Sequence, residues 1–209
     1  MKVKILVILV LIVGIFSSCQ IDKKERQQKE MENFIKGTFG YDLNFLKEKD
    51  SIIILKNSEG NGQLIISPKY QAKVFTSTAD GLNGKSFGWI NYKAFDMPPD
   101  PHMNAYGGED RLWLGPEGGK FSIFFKPGTK MEFENWKTPP EIDTEEWNTI
   151  SADSKKVSLQ KDMELLNFSG TRFNLRIKRD IEILETNTIE QQLNIRLTSQ
   201  VKSVAFKTI

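Results

Sequence analysis

Residues 156–185 read KVSLQKDMELLNFSGTRFNLRIKRDIEILE and contain four short runs of apolar or alternating side chains. The runs cover residues 156–160, 163–168, 173–177 and 180–185. Alternation of apolar and polar side chains with a period of two is typical of a β-strand with one buried face. The polar stretch at 167–171 lies between the middle two runs and predicts a turn. This part of the chain therefore predicts successive antiparallel strands.

Similar patterns continue upstream and downstream. SIIILK at 51–56 and QLIIS at 63–67 flank the turn-rich NSEGNG and predict a β-hairpin. Further strands are predicted at 72–78, 86–92, 121–125 and 201–208. Phe39, Leu43 and Leu46 recur at helical spacing, so we expect helix within residues 24–48, interrupted near Gly40. The fold class that follows is mainly β: an antiparallel β-sandwich with a short N-terminal helical segment.

The first eighteen residues predict a secretory signal peptide. Lys2 and Lys4 precede an apolar run at 5–16, and two serines precede Cys19. The apolar run is too short for a membrane-spanning helix, which needs about 20 residues. Small residues before a lone cysteine resemble a bacterial lipobox, which implies that Cys19 is lipidated and anchors the protein to a membrane. The alternative is a free cysteine in a signal sequence that is discarded whole.

The composition of the chain excludes several classes of site. Lys and Arg number 29 and Asp and Glu 27; without Lys2 and Lys4 the two totals are 27 each. We therefore predict no nucleic-acid partner. One cysteine and one histidine exclude a disulfide framework, a CxxC zinc site and an HExxH site. No Walker loop or GxGxxG motif is present, and the sequence predicts no metal and no cofactor.

Residues 107–117, GGEDRLWLGPE, carry the most chemistry. If residues 111–114 are extended, Arg111 and Trp113 share one face. An indole ring beside a guanidinium group is a plausible sugar platform, because the ring offers an apolar face and the guanidinium offers donors to hydroxyl groups. The candidate ligand-binding residues are His102, Glu109, Asp110, Arg111, Trp113 and Glu117. In the alternative, structural interpretation, Arg111 pairs with one of the three neighbouring acids and Trp113 lies in the core.

His102 is the single histidine and lies in a proline-rich loop, PPDPHMN. Histidine is the side chain best suited to proton transfer near neutral pH. A lone histidine is also commonly a hydrogen-bonded structural group, and acid–base catalysis needs a second group across the substrate. The catalytic residues therefore stay unknown at this stage.

The segment HMNAYGGEDRLWLGPEGGKFSIFF at 102–125 resembles a family of bacterial lipoproteins of unassigned function. SPKYQ at 67–71, GKSFGWIN at 84–91 and NFSGTRFNL at 167–175 are similar to that family as well. The resemblance covers most of residues 38–209 and implies a galactose mutarotase-like β-supersandwich in a longer chain. In mutarotase-like enzymes a histidine acts as the acid opposite a carboxylate base, and the resemblance implies that this base lies beyond Ile209.

The predicted organisation has three parts: a lipoprotein signal peptide at 1–18, a tether or helix at 19–37, and a β-sandwich domain at 38–209 that we expect to be truncated at its C-terminal end. The predicted function is that of an exported, membrane-anchored lipoprotein that binds carbohydrate through a mutarotase-like cleft. The alternatives are a carbohydrate epimerase or lyase complete only in a longer chain, and a structural lipoprotein without a small-molecule site. Gln20 follows Cys19, which favours the outer membrane of a Gram-negative bacterium.

Overall fold

The computed structural model describes residues 34–209, so the predicted signal peptide, Cys19 and most of the predicted tether lie outside the described residues. The helices are α1 Phe39–Lys49, α2 Pro140–Asp143 and α3 Thr186–Leu193, with 3₁₀ turns at Tyr92–Phe95 and Phe133–Asn135. The strands are β1 Ile53–Lys56, β2 Gln63–Ser67, β3 Lys73–Thr78, β4 Asn148–Ala152, β5 Lys156–Leu166, β6 Arg172–Ile183 and β7 Phe206–Thr208.

Two antiparallel sheets are formed by these strands. The first sheet has the order β1-β2-β3 and the second has the order β4-β5-β6-β7. The predicted hairpin between β1 and β2 is present, with Lys56 paired to Gln63. Its turn closes because the Asn57 side-chain oxygen accepts a hydrogen bond from the Gly62 backbone N–H at 3.0 Å.

The core lies between the two sheets. Leu64 and Val74 of the first sheet pack in one cluster with Val157 and Ile181 of the second. On the opposite face of the first sheet, Ile65 and Phe75 pack against the Phe39, Leu43 and Leu46 face of α1. The first sheet is thus buried on both faces, and the order of layers is helix, sheet, sheet. This arrangement confirms the predicted mainly antiparallel, sandwich-like fold.

The four runs of residues 156–185 form only two strands. β5 and β6 pair without interruption from Lys156 opposite Glu182 to Leu166 opposite Arg172. The turn between them is the predicted one: the Asn167 side-chain oxygen accepts a hydrogen bond from the Thr171 N–H at 2.8 Å. The polar residues at 161–162 and 178–179 therefore lie within continuous strands, whereas those at 167–171 form the turn.

Two predicted strands are absent from the described residues. Residues 121–125 form no ladder, and the Ser122 hydroxyl accepts a hydrogen bond from the Phe124 N–H, which satisfies that donor locally. Residues 86–92 run beside β3 but make single contacts, such as the bond from the Gly88 N–H to the Thr76 hydroxyl. The strand predicted at 201–208 is limited to β7, and α3 was not predicted from the sequence.

Candidate functional site

The Gly107–Arg111 segment lies along the edge of β3. Gly107 and Gly108 have φ of 88° and 112°, values that favour glycine. A Cβ at Gly107 would overlap the carbonyl oxygen of Trp89, the acceptor of a 2.7 Å hydrogen bond from the Gly108 N–H. The Glu109 N–H in turn donates to the Val74 carbonyl at 2.9 Å. Close backbone approach therefore explains why the segment begins with two glycines.

The carboxylates of Glu109 and Asp110 bind groups of the protein itself. Glu109 accepts hydrogen bonds from the N–H and the hydroxyl of Ser77, at 2.6 Å and 3.0 Å. Asp110 accepts one from the Val74 N–H at 2.8 Å and forms an ion pair with Arg179 of β6. Burial raises the pKa of both carboxyl groups above their usual values, although these hydrogen bonds and Arg179 oppose the shift. Asp110 thus connects the first sheet to the second.

Arg111 pairs with Asp143 at the end of α2. Its Nη2 lies 2.8 Å from Asp143 Oδ1, and the Asp143 side chain is 4% exposed. Asp143 also accepts hydrogen bonds from the Gln71 side-chain amide at 2.6 Å and from the Asn104 side-chain amide at 2.8 Å. The structural interpretation of the sequence was wrong about the partner, because it paired Arg111 with Glu109, Asp110 or Glu117.

Lys73 lies buried beside this network and was not singled out from the sequence. Its ammonium donates to the Gln71 side-chain oxygen at 2.7 Å and to the Gly107 carbonyl. Burial, and secondly the charge of Arg111, lowers the pKa of Lys73 to about 7. Lys73 lies in a strand with an ordinary alternating pattern, and no feature of this pattern indicates that Lys73 is buried.

The Arg111 guanidinium lies against the first of a series of aromatic rings. The Arg111 guanidinium lies 4.5 Å from the Trp113 ring centroid, as expected for two residues on one face. Successive ring centroids are then 5.1, 5.3, 6.4 and 4.4 Å apart. We call this series the ring stack; it consists of Arg111, Trp113, Phe124, Trp136, Phe133 and His102.

Hydrogen bonds fix the first and last rings of the ring stack, Trp113 and His102. The Trp113 indole N–H donates to Glu117 Oε1 at 2.7 Å. At the other end, His102 Nδ1 lies 2.6 Å from the Trp136 carbonyl oxygen. A carbonyl oxygen can only accept, so Nδ1 carries the proton of this hydrogen bond. The structure thereby brings four of the predicted site residues, His102, Arg111, Trp113 and Glu117, into one connected arrangement.

A cleft of about 540 Å³ lies beside the ring stack. Its floor is apolar, its rim carries three carboxylates and two ammonium groups, and four of the eight prolines of the chain line it. We call it the proline cleft; its lining residues are Pro101, Ile123, Phe124, Phe125, Lys126, Pro127, Thr129, Glu134, Asn135, Lys137, Thr138, Pro139, Pro140, Glu141, Glu164, Leu165 and Leu166. None of the six predicted ligand-binding residues lines the cleft, which touches the ring stack through Phe124.

Backbone hydrogen bonds hold the wall of the proline cleft in place. The Lys137 N–H donates to the Phe124 carbonyl at 2.9 Å, and the Thr138 N–H donates to the His102 carbonyl at 2.8 Å. The opposite wall is the C-terminal end of β5, Glu164 to Leu166. Seven of the eight prolines of the chain lie within residues 98–140, but this composition does not tell which prolines share a surface.

Residues 34–209 contain no group of three His, Cys, Asp or Glu side chains placed to hold a metal ion. In the same range, no helix has the length and apolar character needed to cross a bilayer.

Comparison with known proteins assigns a family. The model of a family of unknown function, DUF6786, matches residues 37–209, and the chain belongs to this family. No curated protein and no solved structure matches it. The match confirms the coarser part of the resemblance, that the chain is a member of a family without an assigned function.

Proposed function

We propose that this chain is an exported lipoprotein whose β domain binds carbohydrate in the proline cleft. The observation that carries the proposal is the composition of the cleft: an apolar floor below a rim that includes Glu134, Glu141 and Glu164. Its volume of about 540 Å³ lies within the range of small-molecule sites in proteins, about 300–1,000 Å³.

The chemistry of a sugar matches such a surface. A pyranose ring presents apolar C–H groups on its faces and hydroxyl groups around its edge. The apolar floor of the cleft packs against the C–H groups. The carboxylate and ammonium groups at the rim form hydrogen bonds with the hydroxyl groups. Lys126 and Lys137 add donors to the acceptors that the three glutamates supply.

In this proposal, the site residues predicted from the sequence do not line the cleft but hold the surrounding structure in place. His102, Arg111, Trp113 and Glu117 support Phe124 through the ring stack. Glu109 and Asp110 hold the Gly107–Arg111 segment against β3. The mutarotase-like relationship is part of the same proposal, and the packing of two antiparallel sheets supports it.

The test uses two matched pairs of carboxamide variants of the full chain. Glu141→Gln alters the cleft, and Glu145→Gln alters a nearby acid outside it that pairs with Lys161. Glu164→Gln removes a cleft acid paired with Arg172, and Glu182→Gln removes an acid paired with Lys207 away from the cleft.

A glycan array first identifies a ligand, and isothermal titration calorimetry then measures its affinity. We expect each cleft variant to weaken binding about tenfold or more, because hydrogen bonds to a charged group contribute about 1.5–3 kcal/mol. The controls should stay within about twofold of the parent protein. Absence of glycan binding, or equal losses in cleft and control variants, would refute the proposal. Epimerisation or elimination of a bound sugar would assign an enzyme instead.

A further inference from the structure

A short segment beside β3 exposes two aromatic rings. Gly88 lies against β3, because a Cβ on it would overlap the carbonyl oxygen of Phe75. Ile90 is buried on the face of the first sheet that α1 covers. Phe87 and Trp89 alternate with these two residues and are 52% and 64% exposed. The side chains of the segment thus alternate between the protein interior and solvent, and both outward ones are large aromatic rings.

The start of the described chain lies beside this segment. The Ser86 N–H donates to the Gly37 carbonyl at 3.0 Å, and the Gly40 N–H donates to the Leu82 carbonyl at 2.8 Å. Ile35 lies just before α1 and is 78% exposed. Two segments that are remote in sequence are therefore adjacent in space. Their exposed large apolar side chains are Ile35, Leu82, Phe87 and Trp89.

The same two segments are basic. Residues 34–41 and 81–95 contain three lysines and no acidic residue, whereas the whole chain is close to neutral. The lysines are Lys36, Lys85 and Lys93, and all three are exposed. The ion pairs of residues 34–209 involve none of them. We call the combined patch the apolar–basic surface; it consists of Ile35, Lys36, Leu82, Lys85, Phe87 and Trp89.

The apolar–basic surface lies where the described chain continues toward Cys19. Fourteen residues, 20–33, separate Cys19 from Phe34, and even a fully extended chain of this length spans only about 50 Å. A lipid on Cys19 therefore keeps this side of the domain within reach of the bilayer. Anionic headgroups attract lysines near the bilayer surface, and tryptophan is enriched at the level of the headgroups.

We propose that the apolar–basic surface contacts the bilayer in which the protein is anchored. Phe87 and Trp89 enter the headgroup region, while Lys36 and Lys85 pair with anionic headgroups. The domain then has a defined orientation on the membrane instead of moving freely at the end of a tether. The proposal rests on the lipidation of Cys19, which is part of the proposed function, and is independent of carbohydrate binding.

The test uses the full, processed chain reconstituted in vesicles that contain phosphatidylglycerol. Mass spectrometry first shows whether Cys19 carries lipid. Phosphatidylcholine with a doxyl group near its headgroup is then added, because it quenches the fluorescence of a tryptophan that contacts the bilayer. We expect quenching in the parent protein and its loss in Trp89→Phe, since Trp89 is the one tryptophan of the apolar–basic surface.

A charge-reversed protein tests the role of the lysines. Lys36→Glu with Lys85→Glu should lower the quenching about twofold or more, and vesicles of phosphatidylcholine alone should do the same to the parent protein. Lys120→Glu with Lys130→Glu makes the same change of charge on two exposed lysines outside this surface and should leave the quenching unchanged. Far-ultraviolet circular dichroism checks that the variants keep the fold.

Four results would overturn the proposal. A lipidated protein without quenching would overturn it alone, because residues 20–33 or another protein would then cover the surface. Quenching that persists in Trp89→Phe would place another side of the domain at the bilayer. Equal quenching in the two charge-reversed proteins would exclude the pairing with headgroups. A processed chain without lipid on Cys19 would refute the lipoprotein proposal together with this one.

Discussion

Arg111 and Asp143, 32 residues apart in the chain, form a 2.8 Å ion pair inside the protein. The pair joins the glycine-led segment on β3 to α2, which forms part of the wall of the proline cleft. Asp143 also holds Gln71 and Asn104, so one carboxylate fixes three parts of the chain relative to one another. The geometry of the cleft therefore depends on a residue that no ligand needs to touch.

Asp143→Ala should destabilise the protein by about 3–5 kcal/mol, because it leaves the largely buried Arg111 guanidinium and the buried Asn104 amide without their partner. Urea unfolding followed by tryptophan fluorescence measures the loss. Asp162→Ala is the matched control, since it breaks an ion pair with Arg176 in which both side chains are more than 60% exposed. That change should alter stability by about 1 kcal/mol at most. Equal effects of the two substitutions would contradict the role assigned to Asp143.

Gly107→Ala should destabilise the protein by about 1–3 kcal/mol or more, because its positive φ is strained for alanine and the added Cβ overlaps the Trp89 carbonyl. Gly118→Ala is the control: a Cβ there meets no atom within 4 Å and its φ is not positive. Thermal unfolding measured by circular dichroism compares the two. A Gly107→Ala protein as stable as Gly118→Ala would show that the segment does not approach β3 as described.

Lys73 should make stability depend on pH between about 7 and 10. Its folded-state pKa of about 7 lies below the unfolded value of about 10.4, so the unfolded chain binds more protons in this window. The contribution of Lys73 to the free energy of unfolding then rises with pH, by about 1.4 kcal/mol per pH unit at most. Below pH 7 the full cost of burying the charged ammonium remains.

Lys73→Met isolates this contribution, because methionine has a similar length and no charge. Urea unfolding of both proteins at several pH values gives the difference in slope. We expect the rise of stability above pH 7 to be smaller in the variant than in the parent protein. Parallel pH profiles would mean that Lys73 does not change its protonation state in this range.

Cys19→Ala should abolish incorporation of labelled fatty acid and release the protein from the membrane or leave it unprocessed. The expectation rests on the order of basic, apolar and small residues before Cys19. Ser18→Ala keeps a small residue before the cysteine and should be labelled like the parent protein. A Cys19→Ala protein that still carries labelled fatty acid would exclude this site of lipidation.

The local sequence was sufficient to predict the turns of the β1–β2 and β5–β6 hairpins. The turn at Asn57 and the turn at Asn167 are each closed by their own asparagine side chain, so the information lies within a few residues. The strand predicted at 121–125 was wrong because the Ser122 hydroxyl satisfies the Phe124 N–H, which a hydrophobic pattern does not reveal.

The candidate site was less predictable because its contacts are remote in sequence. The adjacency of Arg111 and Trp113 followed from their spacing. The partner of Arg111 did not, since Asp143 is one acid among 27 and no local pattern marks it. The proline cleft combines residues 101, 123–141 and 164–166, which only the packing of the two sheets brings together.

The double burial of the first sheet has a consequence for biosynthesis. α1 and β1–β3 are complete once the ribosome has added Thr78, but the strands that cover their second face, β5 and β6, begin at Lys156. At about 5–20 residues per second, the intervening stretch of about 80 residues takes roughly 4–16 s to translate. For that time Leu64 and Val74 have no partner layer and are exposed to other nascent chains. A factor that holds the chain unfolded until β4–β6 are made would prevent this sheet from aggregating, and slow translation after Thr78 should lower the yield of native protein.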